Sequence, residues 1–409
     1  MLTLTLTLTS TAFAVTASTD RTWYLAGEAM TVSVTVDDGL IAYAELCDVN
    51  SLVAGTMISL NRNKGTGIVE LPADLHSGYY VLSVYTRHST HVSQQLVAII
   101  NPLHKSADDD IQWVLDDRCW AMADGHSANP QPLTPNNFEV DERETEGHIV
   151  RARVQNVYGG QTFRGSQICP SLSIIGKQIH YFEGKMVNDS IAVFYTYSIH
   201  GRQPLVLSAA TYTGVSLPIE VMSPFATLLP KQLPHLVFHY KRSEVEARSL
   251  DMQRHQRAIV GGSNVPLDYD ETAYGTKPDL SYNLDEYRQF LSIKEVLLEY
   301  VNCVKNTKIN GRAQLIVRSP EAYFNSTLPT LVLIDGMPVI NTERLLNYDA
   351  RRIHYVNIYG GQYIFGSGVY NGILSFVTRS GRLTNYPVEP NMQYLDYDFP
   401  SHSRSSRMR

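Results

Sequence analysis

Short runs in which apolar and polar residues alternate fill the first quarter of the chain. Residues 30–36 alternate Met or Val with Thr or Ser, a period of two that predicts a strand with one buried face. The Asp-Asp-Gly sequence at 37–39 then supplies a turn. Similar runs and turns recur at short intervals up to Pro102, a pattern typical of a β-sandwich. The sequence therefore predicts a β-sandwich domain over 18–102.

Alternating runs resume after a stretch without clear periodicity, and Gly or Pro stands near the ends of most of them. They predict a second β-sandwich-like domain over 137–245, joined to the first by a linker at 103–136. A further segment, 246–282, is predicted to be linker and helix. Two runs are compatible with a helix: residues 111–122 and the charged residues 244–256.

The C-terminal part of the chain combines helical and strand patterns. Ser292 and Glu295 have the spacing of a capping box, in which each side chain accepts a hydrogen bond from the other residue's backbone amide. The Asn-Gly pair at 310–311 is a hairpin signal between two apolar runs. Together these features predict an α+β domain over 283–385, followed by a tail at 386–409. The predicted fold class is mainly β, with two β-sandwich domains before a small α+β domain.

The first residues have the composition of a secretory signal. Residues 1–11 are apolar or Thr and carry no charge, and they lead into Ala12-Phe13-Ala14, which has the form of a cleavage site. The positively charged start of such a signal is missing, so a Thr-Leu edge strand is the alternative. We therefore predict a signal peptide over 1–17 and an exported protein.

Composition and charge argue against two classes of protein. The 409 residues include 34 Lys and Arg against 40 Asp and Glu, and a net charge of -6 is unsuited to a dedicated nucleic-acid binder. No run approaches the roughly 18 consecutive apolar residues of a membrane-spanning helix. The apolar fraction of 44% is enough to build packed cores, and the 25 tyrosines favour β-structure.

The sequence contains no local motif for catalysis, cofactor binding or metal binding. None of the four cysteines stands in a C-x-x-C pair, although one disulfide is possible in an exported protein. The G-x-S-x-G, H-E-x-x-H and Walker A sequences are absent. His235 and His239 lie in a run that predicts a strand, which would separate them by ~13 Å and prevent them from sharing one ion. We therefore predict no catalytic, cofactor-binding or metal-binding residue.

Three segments near the C-terminus resemble, in the same order, the plug domain of TonB-dependent outer-membrane receptors. They are residues 331–339, 353–361 and 363–378. The residues that carry the resemblance form a plug-like structural motif: Asp335, Gly336, Pro338, Gly360, Gly366, Gly368, Asn371 and Gly372. Local chemistry explains part of this motif as turns, since glycine permits positive φ and an Asp that ends a strand can cap backbone amides.

Receptors of this class continue from the plug into a transmembrane barrel, whereas this chain ends soon after Arg382. The resemblance therefore implies a plug-like unit without its own barrel, associated with the outer membrane through a partner.

The N-terminal block carries a second resemblance. Residues 22–28 and 71–79 resemble a macroglobulin-type β-sandwich domain. Thioester-containing members need Cys-x-x-Gln, which is absent here, so the resemblance implies the fold and not that chemistry. The combination is similar to that of large, uncharacterised exported proteins of Bacteroidetes-type bacteria, which implies a location in the periplasm or at the outer membrane.

These observations predict a non-enzymatic interaction protein of the cell envelope whose partner is an outer-membrane or periplasmic protein. Binding would use loops at sandwich ends or exposed strand edges, which accept an added strand. The first alternative is a cell-envelope hydrolase whose active site is assembled from scattered carboxylates. The second alternative is that the chain is a fragment of a longer envelope protein. The ligand and the oligomeric state stay open.

Overall fold

The computed structural model describes residues 15–87, 89, 91–124, 144–176, 179–261, 274, 276–309, 312–318, 328–383 and 385–401, and the fold is mainly β. Most of the predicted signal peptide lies outside the described residues. The first ten strands are Val15–Thr19 (β1), Trp23–Leu25 (β2), Ala29–Val36 (β3), Ile41–Cys47 (β4), Leu52–Ser59 (β5), Lys64–Glu70 (β6), Gly78–Tyr85 (β7), Ser93–Ile100 (β8), Ile111–Leu115 (β9) and Trp120–Asp124 (β10).

Strands β1 to β8 form two facing sheets, one in the order β1-β3-β6 and the other in the order β2-β8-β7-β4-β5. The alternation seen in residues 30–36 has its expected effect, because Met30, Val32 and Val34 are buried while Ser33 and Thr35 face solvent. Their side chains meet those of the second sheet in one hydrophobic core. We call this part the first sandwich.

A second pair of sheets follows, which we call the second sandwich. Its strands are Ile149–Val154 (β11), Val157–Tyr158 (β12), Gln161–Thr162 (β13), Ile168–Ile174 (β14), His180–Glu183 (β15), Lys185–Met186 (β16), Ile191–Tyr195 (β17), Gly201–Thr211 (β18), Ser216–Leu217 (β19) and Ile219–Val221 (β20). One sheet has the order β16-β17-β11-β20 and the other the order β15-β14-β18-β19. The inward side chains of both sheets share one core.

Strand β21 (His235–Tyr240) lies between β9 and β10 in a small separate sheet, and helix α1 (Arg242–Gly261) follows it. The helix predicted over 111–122 is therefore wrong, because β9 and β10 are strands that pair with β21 on its two sides. The prediction of helix over 244–256 is confirmed by α1. Arg248 of this helix stacks over Trp23 at 3.7 Å and bonds to Glu28, which attaches α1 to the first sandwich.

The C-terminal unit contains Leu280–Asn283 (β22), Ile293–Glu299 (α2), Val304–Ile309 (β23), Arg312–Val317 (β24), Leu331–Ile334 (β25), Met337–Pro338 (β26), Thr342–Leu346 (α3), Ile353–Phe365 (β27) and Gly368–Thr378 (β28). Its sheet has the order β22-β27-β28-β25-β26, and β23 pairs with β24 in a hairpin. The capping box is confirmed, since the Glu295 amide donates to Ser292 Oγ at 3.3 Å and the Ser292 amide donates to Glu295 Oε2 at 3.4 Å. The Asn-Gly turn at 310–311 lies outside the described residues.

The last strand, Gln393–Phe399 (β29), lies in the segment expected to be a tail. It pairs antiparallel with β18 and so returns the chain to the second sandwich. Tyr397 and Phe399 are buried in that core, which is the physical reason for the strand. Beyond it, Ser401 exchanges backbone hydrogen bonds with Met57 and Ser59 at the edge of the first sandwich.

A buried polar network joins the two sandwiches, and we call it the junction network. The Glu144 carboxylate accepts a hydrogen bond from the Tyr43 hydroxyl at 2.6 Å. It also lies 3.4 Å from the Arg87 guanidinium, and the Glu144 and Arg87 side chains are both buried. His148 Nδ1 lies 3.0 Å from Glu144 Oε1, and its Nε2 lies 2.7 Å from the Tyr397 hydroxyl. Because a carboxylate only accepts, Nδ1 carries the imidazole proton and Nε2 accepts from Tyr397.

Burial sets the charge states in the junction network. It lowers the pKa of His148, against the opposing effect of Glu144, so the imidazole is neutral. Burial alone would raise the pKa of Glu144, but the His148 hydrogen bond and the Arg87 charge hold that pKa below its ordinary value. The network therefore contains one ion pair and one neutral histidine.

Among the described helices, none is both long enough and apolar enough to cross a bilayer.

Candidate functional site: the cleft beside the glycine-rich motif

Asp335 ends strand β25 in a tight turn with φ of 48°. Its carboxylate is buried and accepts hydrogen bonds from the Thr378 amide at 2.7 Å, the Thr378 hydroxyl at 2.6 Å and the Leu383 amide at 2.7 Å. Burial raises the pKa of Asp335, and these hydrogen bonds oppose the rise. All the bonds go to the same unit, so Asp335 stabilises the turn, as the amide-capping interpretation predicts.

Gly336 lies where this turn touches the second sandwich. Its φ is 91°, and a Cβ at this position would stand 2.5 Å from Ile179 Cγ2. The Gly176 amide also donates to the Asp335 carbonyl at 3.3 Å. Glycine at 336 therefore permits both the turn and the close approach of the two units.

Gly366 makes an equivalent contact at the end of the long β27–β28 hairpin. A Cβ there would stand 2.5 Å from Glu183 Oε1. The next residue, Ser367, donates its amide and its hydroxyl to the same carboxylate oxygen, each at 2.7 Å. On the other side of the turn, the Phe365 ring stacks on Tyr181 at a centroid distance of 4.5 Å. This second turn therefore also docks on strand β15 of the second sandwich.

The remaining motif glycines and Asn371 lie inside the C-terminal unit. The Gly360 amide donates to the Asp279 carboxylate, and the Asn371 amide donates to the Pro329 carbonyl at 2.8 Å. Gly372 has φ of 83°, and a Cβ at Gly368 would stand 2.6 Å from its own hairpin neighbour, Tyr370. These residues shape the hairpin, and the structure does not bring them to the interface.

An open cleft of about 370 Å³ lies between the outer face of the second sandwich and the motif turns. Its floor is formed by β14 and β18, where Ser171 and Ser208 stand directly opposite each other with their hydroxyl oxygens 2.7 Å apart. Tyr181 of the neighbouring strand β15 also lines it. Met337 and Pro338 of β26 form an apolar wall. Of the sequence-predicted motif residues, Pro338 therefore contributes directly to the cleft.

Apolar and aromatic groups surround the mouth of this cleft. The Tyr212 side chain is 77% exposed at one side, and Ile340 continues the apolar wall into solvent. Ser367 lines the cleft at the hairpin end. Further along the same hairpin, Ile364 is 80% exposed and stands directly across from the exposed Val369. Solvent-exposed apolar side chains grouped in this way are typical of contact surfaces.

The cleft was not predictable from local pattern, although its floor has a weak signal. In residues 169–173 the small residues Cys, Ser and Ser alternate with Pro and Leu, which indicates a strand with small side chains on its outer face. Nothing in the sequence shows that residues 337–340 lie against that face, because the two segments are far apart along the chain.

His235 and His239 are positioned as structural residues, whereas Cys169 is an exposed thiol that lines the cleft. His235 and His239 lie on strand β21, as predicted, and each contacts a different carboxylate, Asp110 for the first and Asp116 for the second. In the part of the chain that the structure describes, no three His, Cys, Asp or Glu side chains group as metal ligands. All four cysteines are free thiols, so the possible disulfide is not present.

No protein-family model matches the chain, and no curated protein matches it. Similar solved structures include the BSP domain of a biofilm-associated protein, at 10% identity over 56% of this chain and 30% of that chain, with a TM-score of 0.18. They also include Escherichia coli alpha-2-macroglobulin activated by porcine elastase, at 9% identity over 51% of this chain and 20% of that chain, with a TM-score of 0.20. The Escherichia coli adhesin FdeC is similar at 15% identity over 55% of this chain and 63% of that chain, with a TM-score of 0.19.

The matched region thus spans less than a third of the first two structures. These similar structures include macroglobulin and adhesin proteins, and at such TM-scores the likeness does not extend to function.

Proposed function

We propose that this chain is a non-enzymatic, exported binding protein of the bacterial cell envelope, located in the periplasm or at the outer membrane. Its C-terminal unit would be plug-like, and its partner would be an outer-membrane or periplasmic protein. The observation that carries the proposal is the exposed apolar end of the β27–β28 hairpin, where Ile364 and Val369 stand side by side in solvent. Burying such side chains against a partner is favourable by roughly 25 cal/mol per Å² of apolar surface.

The attachment of the hairpin supports this role. Phe365 stacks on Tyr181, and Ser367 is bonded to Glu183, so the turn is fixed to the second sandwich on both sides. A fixed hairpin presents Ile364 without a large loss of conformational freedom on binding, which is the general advantage of a preorganised contact surface.

The chemistry of the adjacent cleft favours binding over hydrolysis. A serine nucleophile needs a neighbouring base, and Ser171 is instead hydrogen-bonded to another serine, Ser208. The carboxylate that lines the cleft, Glu183, is occupied by two hydrogen bonds from Ser367. Among the described residues, neither Ser171 nor Glu183 is therefore arranged with a partner that would activate it for hydrolysis.

A pull-down from solubilised envelope tests the proposal with a matched control. The full chain, the Ile364→Ser variant and the Ile68→Ser variant serve as baits, since Ile68 is 52% exposed on β6 of the first sandwich. We expect the wild type and Ile68→Ser to recover the same outer-membrane or periplasmic protein and Ile364→Ser to lose it. Recovery of no envelope protein, or equal recovery by all three baits, would contradict the proposal.

A further inference from the structure

The cleft between the second sandwich and the motif turns has a lining that selects against charged ligands. In the described lining, Glu183 carries the single formal charge, and no Lys, Arg or His is present. Phosphates and carboxylates are bound most strongly by cationic side chains, so an anion in this described lining would meet a carboxylate and no compensating positive charge. Ser367 already donates twice to one oxygen of Glu183, so the turn uses part of the acceptor capacity of this carboxylate.

The polar groups of the cleft floor are side-chain hydroxyls and not main-chain groups. Strand β14 pairs with β18 along its length and with β15 over residues 171–174, so at Ser171 the backbone amides and carbonyls are used within the sheet. An extended peptide that binds by strand addition needs a free edge. A ligand on this face must instead bring its own hydroxyl groups to Ser171 and Ser208, which stand opposite each other in register.

Apolar side chains also line the cleft. Pro338 and Met337 form the wall, and the Tyr212 ring projects into solvent at the mouth. An exposed tyrosine offers an apolar ring face and a polar hydroxyl at once. The volume of about 370 Å³ lies within the range of small-molecule sites, which begins at roughly 300 Å³.

We propose that this cleft binds a short, neutral saccharide. A pyranose ring combines a hydroxyl rim with an apolar C–H face. The rim would bond to Ser171 and Ser208, and the apolar face would lie against the Tyr212 ring. This inference goes beyond the protein partner proposed above, because it concerns a different surface and a different class of ligand.

Calorimetric titration of the full chain with maltotriose, cellotriose, xylotriose and triacetylchitotriose tests the proposal. We expect saturable binding of at least one of them, weakened about tenfold or more in Tyr212→Ala and in Ser208→Ala. Tyr158→Ala is the matched control, because Tyr158 is 47% exposed in the same sandwich and does not line the cleft. Trigalacturonate, an anionic trisaccharide, should bind more weakly than the best neutral sugar.

Several results would overturn the saccharide site. They are the absence of saturable binding by all four neutral sugars at millimolar concentration, binding unchanged in both cleft variants, and tighter binding of trigalacturonate. A photo-crosslinker at position 212 that captures a protein in the envelope, with no sugar competing, would assign the cleft to that protein instead. Tyr212 is exposed, so its replacement should leave the fold intact, which circular dichroism checks.

Discussion

Replacing Gly336 by Ala tests whether the motif turn holds the C-terminal unit against the second sandwich. Gly361 is a matched control, because both glycines have φ of 91°. A Cβ at position 336 would stand 2.5 Å from Ile179 Cγ2 and 2.9 Å from its Cγ1. At position 361 a Cβ would meet nothing within 4 Å. The two variants therefore share the backbone cost and differ in the clash.

The expected magnitudes follow from these two contributions. A left-handed conformation costs a residue with a Cβ about 1–2 kcal/mol, which applies to both variants. Crowding at 336 adds about 1–3 kcal/mol, as inserted atoms do in a packed site. Relief by side-chain rotation is limited, because the crowding atoms of Ile179 are bonded to its Cβ and χ1 of a β-branched residue is stiff. Gly336→Ala should therefore destabilise the docked state by about 1–3 kcal/mol more than Gly361→Ala.

Hydrogen exchange measured by mass spectrometry reports the docking directly, whereas global unfolding of several packed units is not two-state. The Gly176 amide and the Ser367 amide both donate across the interface and should exchange faster in Gly336→Ala than in Gly361→Ala. Adding Ile179→Ala to Gly336→Ala should restore part of the protection, since it removes the clashing atoms. Equal exchange in both single variants, or no effect of the second substitution, would refute the reasoning.

Three further predictions concern buried polar groups. Glu144→Ala breaks the buried ion pair with Arg87 and should cost about 3–5 kcal/mol, whereas Glu70→Ala, at an exposed position of β6, should change little. Hydrogen exchange of the β11 amides compares the two variants. The pKa of His148 is lowered in the folded protein, so the free energy of unfolding should fall as the pH drops below about 6.5. His148→Gln should reduce the slope of that free energy against pH by up to about 1.4 kcal/mol per pH unit, and identical slopes in the two proteins would exclude this role of His148. Thr378→Val removes the hydroxyl bond to the turn carboxylate and should cost about 1.5–3 kcal/mol, measured by hydrogen exchange of the Leu383 amide, which donates to the same carboxylate.

The features that the sequence predicted are those that local chemistry decides. Alternation in residues 30–36 requires one buried face, and the structure buries that face. The Ser292–Glu295 capping box needs only residues within one helical turn. The strand over His235–Tyr240 follows from its apolar interior of Leu, Val and Phe and from the preceding proline.

The features that local pattern missed depend on partners distant in the chain. Residues 111–122 have an apolar composition that suits a helix or a strand, and β21, more than a hundred residues later, decides between them. The segment expected to be a tail alternates Leu395, Tyr397 and Phe399, which is a strand signal that only the second sandwich explains. The cleft has the same origin, because its floor and its wall come from separate units.

The comparison of Gly336, a motif residue, with Gly361, which follows the motif residue Gly360, separates two reasons for a glycine in this region. Both have positive φ, at the turn after β25 for Gly336 and at the register shift within β27 for Gly361, so local backbone geometry alone explains either of them. Of these two glycines, Gly336 alone also lies within contact distance of another unit. Gly366, elsewhere in the motif, has the same property through its contact with Glu183. At Gly336 and Gly366 the motif surface is therefore covered by Ile179 and by strand β15, which follows it. Under the proposed function, a partner of the C-terminal unit would bind elsewhere, and the exposed hairpin residues Ile364 and Val369 are large apolar side chains of the motif region outside these contacts.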